Sequence, residues 1–175
     1  MSRKFVKSHK FSRVISADLS PNMLMETRQR CVKEGLSPPL LIRADAAKLP
    51  FADNSISAVH AGAAMHCWPR LPEALAEVHR VLKPGGKFFA STFFTTAFTA
   101  QPITGMTSQA GASSGMYMFS GESEILDLLR DAGFGVDEGA ETERSGDGAI
   151  GAVATDTKAT VRREGRGCAI VKAVK

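Results

Sequence analysis

Cysteine, aromatic residues other than phenylalanine, and an excess of charge of either sign are all scarce in this 175-residue chain. Its three cysteines, Cys31, Cys67 and Cys168, are odd in number, far apart and form no Cys-x-x-Cys pair. That pattern argues against a disulfide framework or a zinc site, and it predicts reduced intracellular thiols. The 22 Lys and Arg against 18 Asp and Glu leave a net charge of +4. So small an excess, with no basic stripe interleaved with aromatics, argues against nucleic acid as the partner. No apolar run is long enough to span a membrane, and no internal repeat is visible. What is present is an ordinary globular composition, 43% hydrophobic and 23% charged, in a chain long enough for one domain with a sizeable core.

Apolar runs and helical periods alternate along most of the chain. A strand is expected at residues 13–17, ending in Asp18. Ser20 caps a helix that starts on Pro21, where a missing N–H costs little, and that runs to about Glu34 before Gly35 stops it. Leu40 to Ala44 reads as a second strand delivering Asp45 to its end, and Ile56 to Ala61 as a third. Leu71, Leu75, Val78 and Leu82 share one face of a helix that Pro84-Gly85-Gly86 ends, and Lys87 to Phe93 is a strand. Ser120 caps a further helix, carrying Ile125 and Leu129, that Gly133 closes; Phe134 to Val136 begins a strand and Cys168 to Val174 is the last. This alternation predicts a parallel sheet covered by helices on both faces. Residues 95–118 lack periodicity and read as a long mobile segment, and residues 144–166 fit no element.

Each chemically suggestive residue has a plain alternative. An acid at the carboxyl end of a parallel strand can accept both hydrogens of a ribose diol, but Asp18 is also well placed as a neighbour of a helix N-terminus. Asp45 reads either as a second ligand-edge acid or as a solvated loop residue. His66 titrates near neutrality, so it can take a proton from an acceptor or simply hydrogen-bond a loop. Cys67 beside it lacks an orienting third group, which argues against a Cys–His nucleophile. The cysteine trio is too widely spaced for a soft-metal site. Gly146-Asp147-Gly148-Ala149-Ile150-Gly151 spells G-x-G-x-x-G, yet no apolar strand precedes it and no helix follows, so it reads as a connection. The five basic residues and no acid of Met1 to Arg13 look superficially like a transit peptide; a short helix packing Phe5 and Val6 accounts for them better.

Four motifs occur in order: Asp18-Leu19-Ser20-Pro21-Asn22-Met23-Leu24, Ala44-Asp45-Ala46-Ala47-Lys48-Leu49-Pro50-Phe51, Met65-His66-Cys67-Trp68, and Glu77-Val78-His79-Arg80-Val81-Leu82-Lys83-Pro84-Gly85-Gly86. Together they resemble class I S-adenosylmethionine-dependent methyltransferases, most of all the small-molecule branch related to quinone biosynthesis and its plant and algal plastid relatives. The resemblance is close from Ser2 to about Phe94, loose to Phe134 and poor through residues 144–166. It implies an α/β, Rossmann-like fold in a single domain, with S-adenosylmethionine as cofactor and a small-molecule acceptor. By the same resemblance Asp18 binds the ribose hydroxyls, Leu19 packs on the adenine, Asp45 receives the adenine amino group, Ala46 offers a backbone N–H to the ring, and His66 is the candidate catalytic residue. No metal is implied. Met106, Met116, Tyr117, Met118 and Phe119 would belong to an acceptor lid.

The family's glycine-rich loop lies about 20 residues before the ribose-binding acid, which here runs off the front of the chain. The expectation is therefore an N-terminally truncated domain with a gap in its sheet and unpaired strand edges. The rival reading is a non-catalytic remnant that acts through a partner chain at such an edge. Compartment is expected to be intracellular, with a plastid implied by resemblance alone.

Overall fold

The computed structural model describes residues 1–94, 117, 119–136, 158–165 and 167–175. These form two compact units, Met1–Pro50 and Phe51–Lys175.

Unit 1 runs α1 (Ser2–Ser8), β1 (Ile15–Asp18), α2 (Pro21–Lys33) and β2 (Leu40–Arg43). The expected cap is in place: Ser20 is extended and its side chain accepts from the Met23 N–H at 3.4 Å, with Pro21 in the first turn. At the other end Gly35 takes a left-handed φ of 68°, and the Leu36 N–H donates to the Cys31 carbonyl at 2.9 Å. That closes the helix within a residue of the expected stop. β1 and β2 pair in parallel from Ile15 opposite Leu40 to Asp18 opposite Arg43. α1 is tied down by an Arg3–Glu34 ion pair and by a Ser2–Ser16 hydroxyl contact of 3.0 Å.

Unit 2 runs β3 (Ile56–Gly62), a 3-10 turn (Met65–Cys67), α3 (Leu71–Val81), β4 (Leu82–Phe93), α4 (Glu122–Asp131), β5 (Thr160–Glu164) and β6 (Cys168–Val174). Its sheet has the order β3-β4-β6-β5. β3 and β4 are parallel, as expected, but β6 is antiparallel to both β4 and β5. The sheet is therefore mixed, which corrects the all-parallel expectation. The β5–β6 pair needs only a short turn through Gly165, whose φ is 60°, where a parallel pair would need a helical crossover. β5 falls inside the stretch that had no expected element; its Thr160-Val161-Arg162-Arg163-Glu164 sequence is too charged to read as a strand, and its burial is slight.

Two further boundaries differ from expectation. α3 ends at Val81, not at Pro84-Gly85-Gly86, because Leu82 is already extended and proline disfavours the helical region for Lys83. The glycine pair instead shapes the start of β4: Gly85 has φ 74°, and a Cβ on Gly86 would lie 2.7 Å from the Lys83 carbonyl oxygen. The N-cap of α4 is Gly121 with no side-chain bond; Ser120 gives its N–H and hydroxyl to Glu124 Oε2 at 2.7 and 2.8 Å instead. Phe134–Val136 makes a single bridge, Val136 to Ala159.

The core of unit 2 is one continuous cluster. Leu71, Leu75 and Val78 on α3 are joined by Leu82, Phe88 and Ala90 on β4, Ile125 and Leu129 on α4, and Ala169, Val171 and Ala173 on β6. Burying a side chain such as Leu75 or Phe88 contributes about 1.5–3 kcal/mol. The Gly146–Gly151 motif and, Tyr117 and Phe119 apart, the expected lid residues lie outside the described residues.

Candidate functional site

In unit 1 the parallel register places the two candidate acids at the same end of neighbouring strands. Asp18 is the last residue of β1, and Asp45 follows β2 by two positions. The strands stay joined past their ends, since the Ala44 N–H donates to the Asp18 carbonyl at 3.2 Å and Arg43 Nε to the Leu19 carbonyl at 3.0 Å. Each carboxylate is oriented by a backbone N–H two residues ahead. Asp18 Oδ1 accepts from Ser20 and Asp45 Oδ1 from Ala47, both at 2.9 Å. Such turns fix a short acidic side chain without consuming its second oxygen. Asp18 Oδ2 has no partner among the described residues. Leu19 beside it is 59% exposed, a leucine held in solvent next to a carboxylate. Ala46 sits half-buried within the Asp45–Lys48 turn.

In unit 2 His66 lies in the 3-10 turn after β3 and is buried. Two successive hydroxyls of β4 hold this corner. Ser91 Oγ accepts from the Ala63 N–H at 2.9 Å, and Thr92 Oγ1 lies 3.3 Å from His66 Nδ1. The Tyr117 N–H donates to the His66 carbonyl at 2.6 Å, and the Phe93 ring stands edge-on to the imidazole, 5.1 Å between centroids. Burial holds the His66 pKa below its usual value, so the ring is neutral at pH 7. Cys67 is exposed and carries no partner that would activate it among the described residues. Trp68 is partly buried and packs against the core cluster.

Thr92, beside His66, and Arg80, on α3, make contacts that the sequence alone does not reveal. A period of two along β4 places Phe88, Ala90 and Thr92 on its buried face, so a hydroxyl between aromatics was the available signal. Arg80 grips Glu77 through both carboxylate oxygens, at 2.6 and 2.8 Å, and reaches the Phe51 carbonyl and Asp53. These bonds raise its pKa further and pin the loop before β3 onto α3. Two depressions, one lined by Arg3, Arg30, Lys33 and Glu34 and one by Thr160, Val161, Arg162, Ile170 and Lys172, contain none of the candidate residues. Among the described residues no three His, Cys, Asp or Glu side chains are placed to hold a metal ion, and no helix is long and apolar enough to cross a membrane.

Comparison with known proteins identifies the family and the fold. Residues 2–90 match the family described as "Methyltransferase domain". The chain is 42% identical over 138 residues to an uncharacterized chloroplastic methyltransferase of Arabidopsis thaliana, a match covering 75% of this chain and 39% of that protein. It is 34% identical over 135 residues to the ubiquinone/menaquinone biosynthesis C-methyltransferase UbiE of Chromobacterium violaceum, covering 67% of this chain and 55% of that one. The chain thus spans between two fifths and somewhat over half of these relatives. Among solved structures, an S-adenosylmethionine dependent methyltransferase from Mesorhizobium loti superposes with a TM-score of 0.65 at 17% identity, over 98% of this chain and 84% of the other. That likeness establishes the α/β, Rossmann-like class I methyltransferase fold. With half of its length matched by the family and its strands in that fold, the chain belongs to the methyltransferase domain family.

Proposed function

We propose that this chain takes part in S-adenosylmethionine-dependent methyl transfer to a small-molecule acceptor. The observation that carries the reading is the pair of oriented carboxylates, Asp18 and Asp45, side by side at the carboxyl ends of parallel strands. Ligands of open α/β sheets bind at that edge. The residues present fit a nucleoside: Asp18 has an uncommitted oxygen for the ribose diol, exposed Leu19 offers an aliphatic surface for the adenine, Asp45 suits the adenine amino group, and the Ala46 N–H suits a ring nitrogen. S-adenosylmethionine, when bound, supplies a methyl group activated by its sulfonium centre. The chain's own contribution is alignment and exclusion of water, with His66 as the acceptor-side candidate. The names of the relatives favour a quinone-biosynthesis-like acceptor and a plastid compartment as the finer reading.

A second reading has one observation in its favour. β1 pairs only with β2, and β3 only with β4, among the described residues. Each therefore keeps one edge of N–H and C=O groups that a strand from a partner chain can pair with, in a non-catalytic role.

Calorimetric titration of the 175-residue chain with S-adenosylmethionine and S-adenosylhomocysteine separates the readings. Binding is expected, and Asp18→Ala should weaken it by about 1.5–3 kcal/mol, roughly tenfold to a hundredfold. Asp18→Asn keeps an acceptor for the Ser20 N–H while replacing the second oxygen with an amide, so its loss of affinity isolates the ribose contact from the turn. A folded chain that binds neither nucleoside refutes the enzymatic reading and leaves the partner-chain role.

A further inference from the structure

We propose that Thr92 is a positioning residue that locks His66 in the Nε2–H tautomer, so that the imidazole meets its ligand as a hydrogen-bond donor to an oxygen rather than as a base. The two groups lie 26 residues apart, on β4 and on the turn after β3, and both are buried, Thr92 completely. A buried hydroxyl left without an acceptor costs about 1–3 kcal/mol. The Thr92 backbone is committed to the ladder opposite Ala169, and the only partner of its hydroxyl among the described residues is His66 Nδ1. If Nδ1 carried the proton it would donate to Thr92 Oγ1, and the hydroxyl hydrogen would have no acceptor among the described residues. With the proton on Nε2 the hydroxyl donates to the Nδ1 lone pair, which satisfies both atoms of that contact and leaves the Nε2–H as the one donor still to be paired among the described residues.

The ring cannot easily escape this choice. Its backbone carbonyl is held by the Tyr117 N–H, its face is flanked by Phe93, and a flip would remove Nδ1 from the hydroxyl. Nε2 has no partner among the described residues, so its N–H is the group offered to a ligand. The pKa that burial lowers agrees, because protonation at Nδ1 would reverse the threonine bond and turn the hydroxyl hydrogen away from its acceptor. Resting on the methyl-transfer reading, the assignment names the class of acceptor: one presenting a carbonyl or anionic oxygen for His66 to orient. Any proton the acceptor loses must leave by a route other than His66.

The test is a long-range proton–nitrogen correlation spectrum of the unliganded, histidine-labelled chain at neutral pH. Wild type is expected to show the His66 pattern of a protonated Nε2 and a bare Nδ1. Thr92→Val, which keeps the shape and removes the hydroxyl, should mix the two tautomers, and Thr92→Ser should restore the wild-type pattern. Near-ultraviolet dichroism from Trp68 and the dispersion of the other histidine signals establish that each variant is folded; should the valine variant fail to fold, the wild-type and serine spectra still decide the tautomer. A protonated Nδ1 in wild type, or a folded Thr92→Val chain with an unchanged His66 pattern, overturns the proposal. The spectrum needs no nucleoside, so a chain that shows this tautomer yet fails to bind S-adenosylmethionine refutes the methyl-transfer reading and leaves the Thr92 assignment standing.

Discussion

Nineteen of the twenty buried hydrophobic side chains among the described residues belong to unit 2, and one, Cys31, to unit 1; seven of the eight large hydrophobics left exposed belong to unit 1. Met1, Phe11, Leu19, Met23, Met25, Val32 and Leu40 all stand more than two fifths exposed there. Charge divides the same way. Unit 1 holds ten Lys and Arg against four acids, and unit 2 twelve against fourteen, so all of the chain's positive excess sits in its first 50 residues. The contrast teaches where order comes from in each half. Unit 2 offsets its conformational entropy with a shared core, whereas unit 1 is held by two short strands, helix caps and surface ion pairs that contribute little individually. The half bearing the carboxylates proposed to bind a nucleoside, Asp18 and Asp45, is thus the half with most to gain from a ligand.

The largest effect that would break this comparison concerns the core. Phe88→Ala should cost about 3–5 kcal/mol in denaturant unfolding, because Phe88 is fully buried and stacked on Phe134. Met25→Ala, on an exposed face of α2, should stay within about 0.5 kcal/mol. Similar costs at the two positions would mean that unit 1 is covered in solution, and the contrast would fail.

Hydrogen exchange sharpens the same point at the level of the backbone. Amides of β1, α2 and β2 should exchange at least about a hundredfold faster than those of β4 and β6. Adding S-adenosylmethionine at about a hundred times its dissociation constant should slow unit 1 by about 2.7 kcal/mol in apparent stability. Protection that starts equal in the two units, or that rises only in unit 2, would contradict the division of labour.

The smallest expected effect is titration. Burial is the main cause that lowers the pKa of His66 and of His79, and Lys175 adds to the lowering at His79, whose ring lies 4.9 Å from that of Phe134. A lowered folded pKa means that the unfolded chain binds protons first on acidification. The stabilisation is therefore complete above the unfolded value near 6.5 and is lost as pH falls through it toward the lower folded value. The midpoint of thermal unfolding of unit 2 should drop between about pH 7.5 and pH 5.5 in consequence, and His79→Gln should remove part of that slope. A flat profile would contradict burial of the two rings.

Much of the fold was legible because the signals are local. Ser20-Pro21 and Gly35 bracket α2, and the spacing of Leu71, Leu75 and Val78 faces α3 inward. The acids at the ends of β1 and β2 were legible as well, since a strand's last residue can be read from where its apolar run stops. β5 was not, because an edge strand with three charged side chains and slight burial has no apolar alternation to announce it. Nor was Thr92 as a partner of His66: its inward direction follows from the period of two, but its partner does not.

What the sequence by itself determined is the succession of elements from β1 to α4, which of their side chains face inward, and the motifs that resemble a methyltransferase, all consequences of neighbours within a turn or two. The tertiary structure alone decided that β6 runs antiparallel between β4 and β5, that Arg80 pins the loop at Phe51 and Asp53, and that a threonine on β4 meets the imidazole of His66. Those outcomes depend on strand register and on which buried donors find acceptors, and both are settled only when segments tens of residues apart compete for the same core.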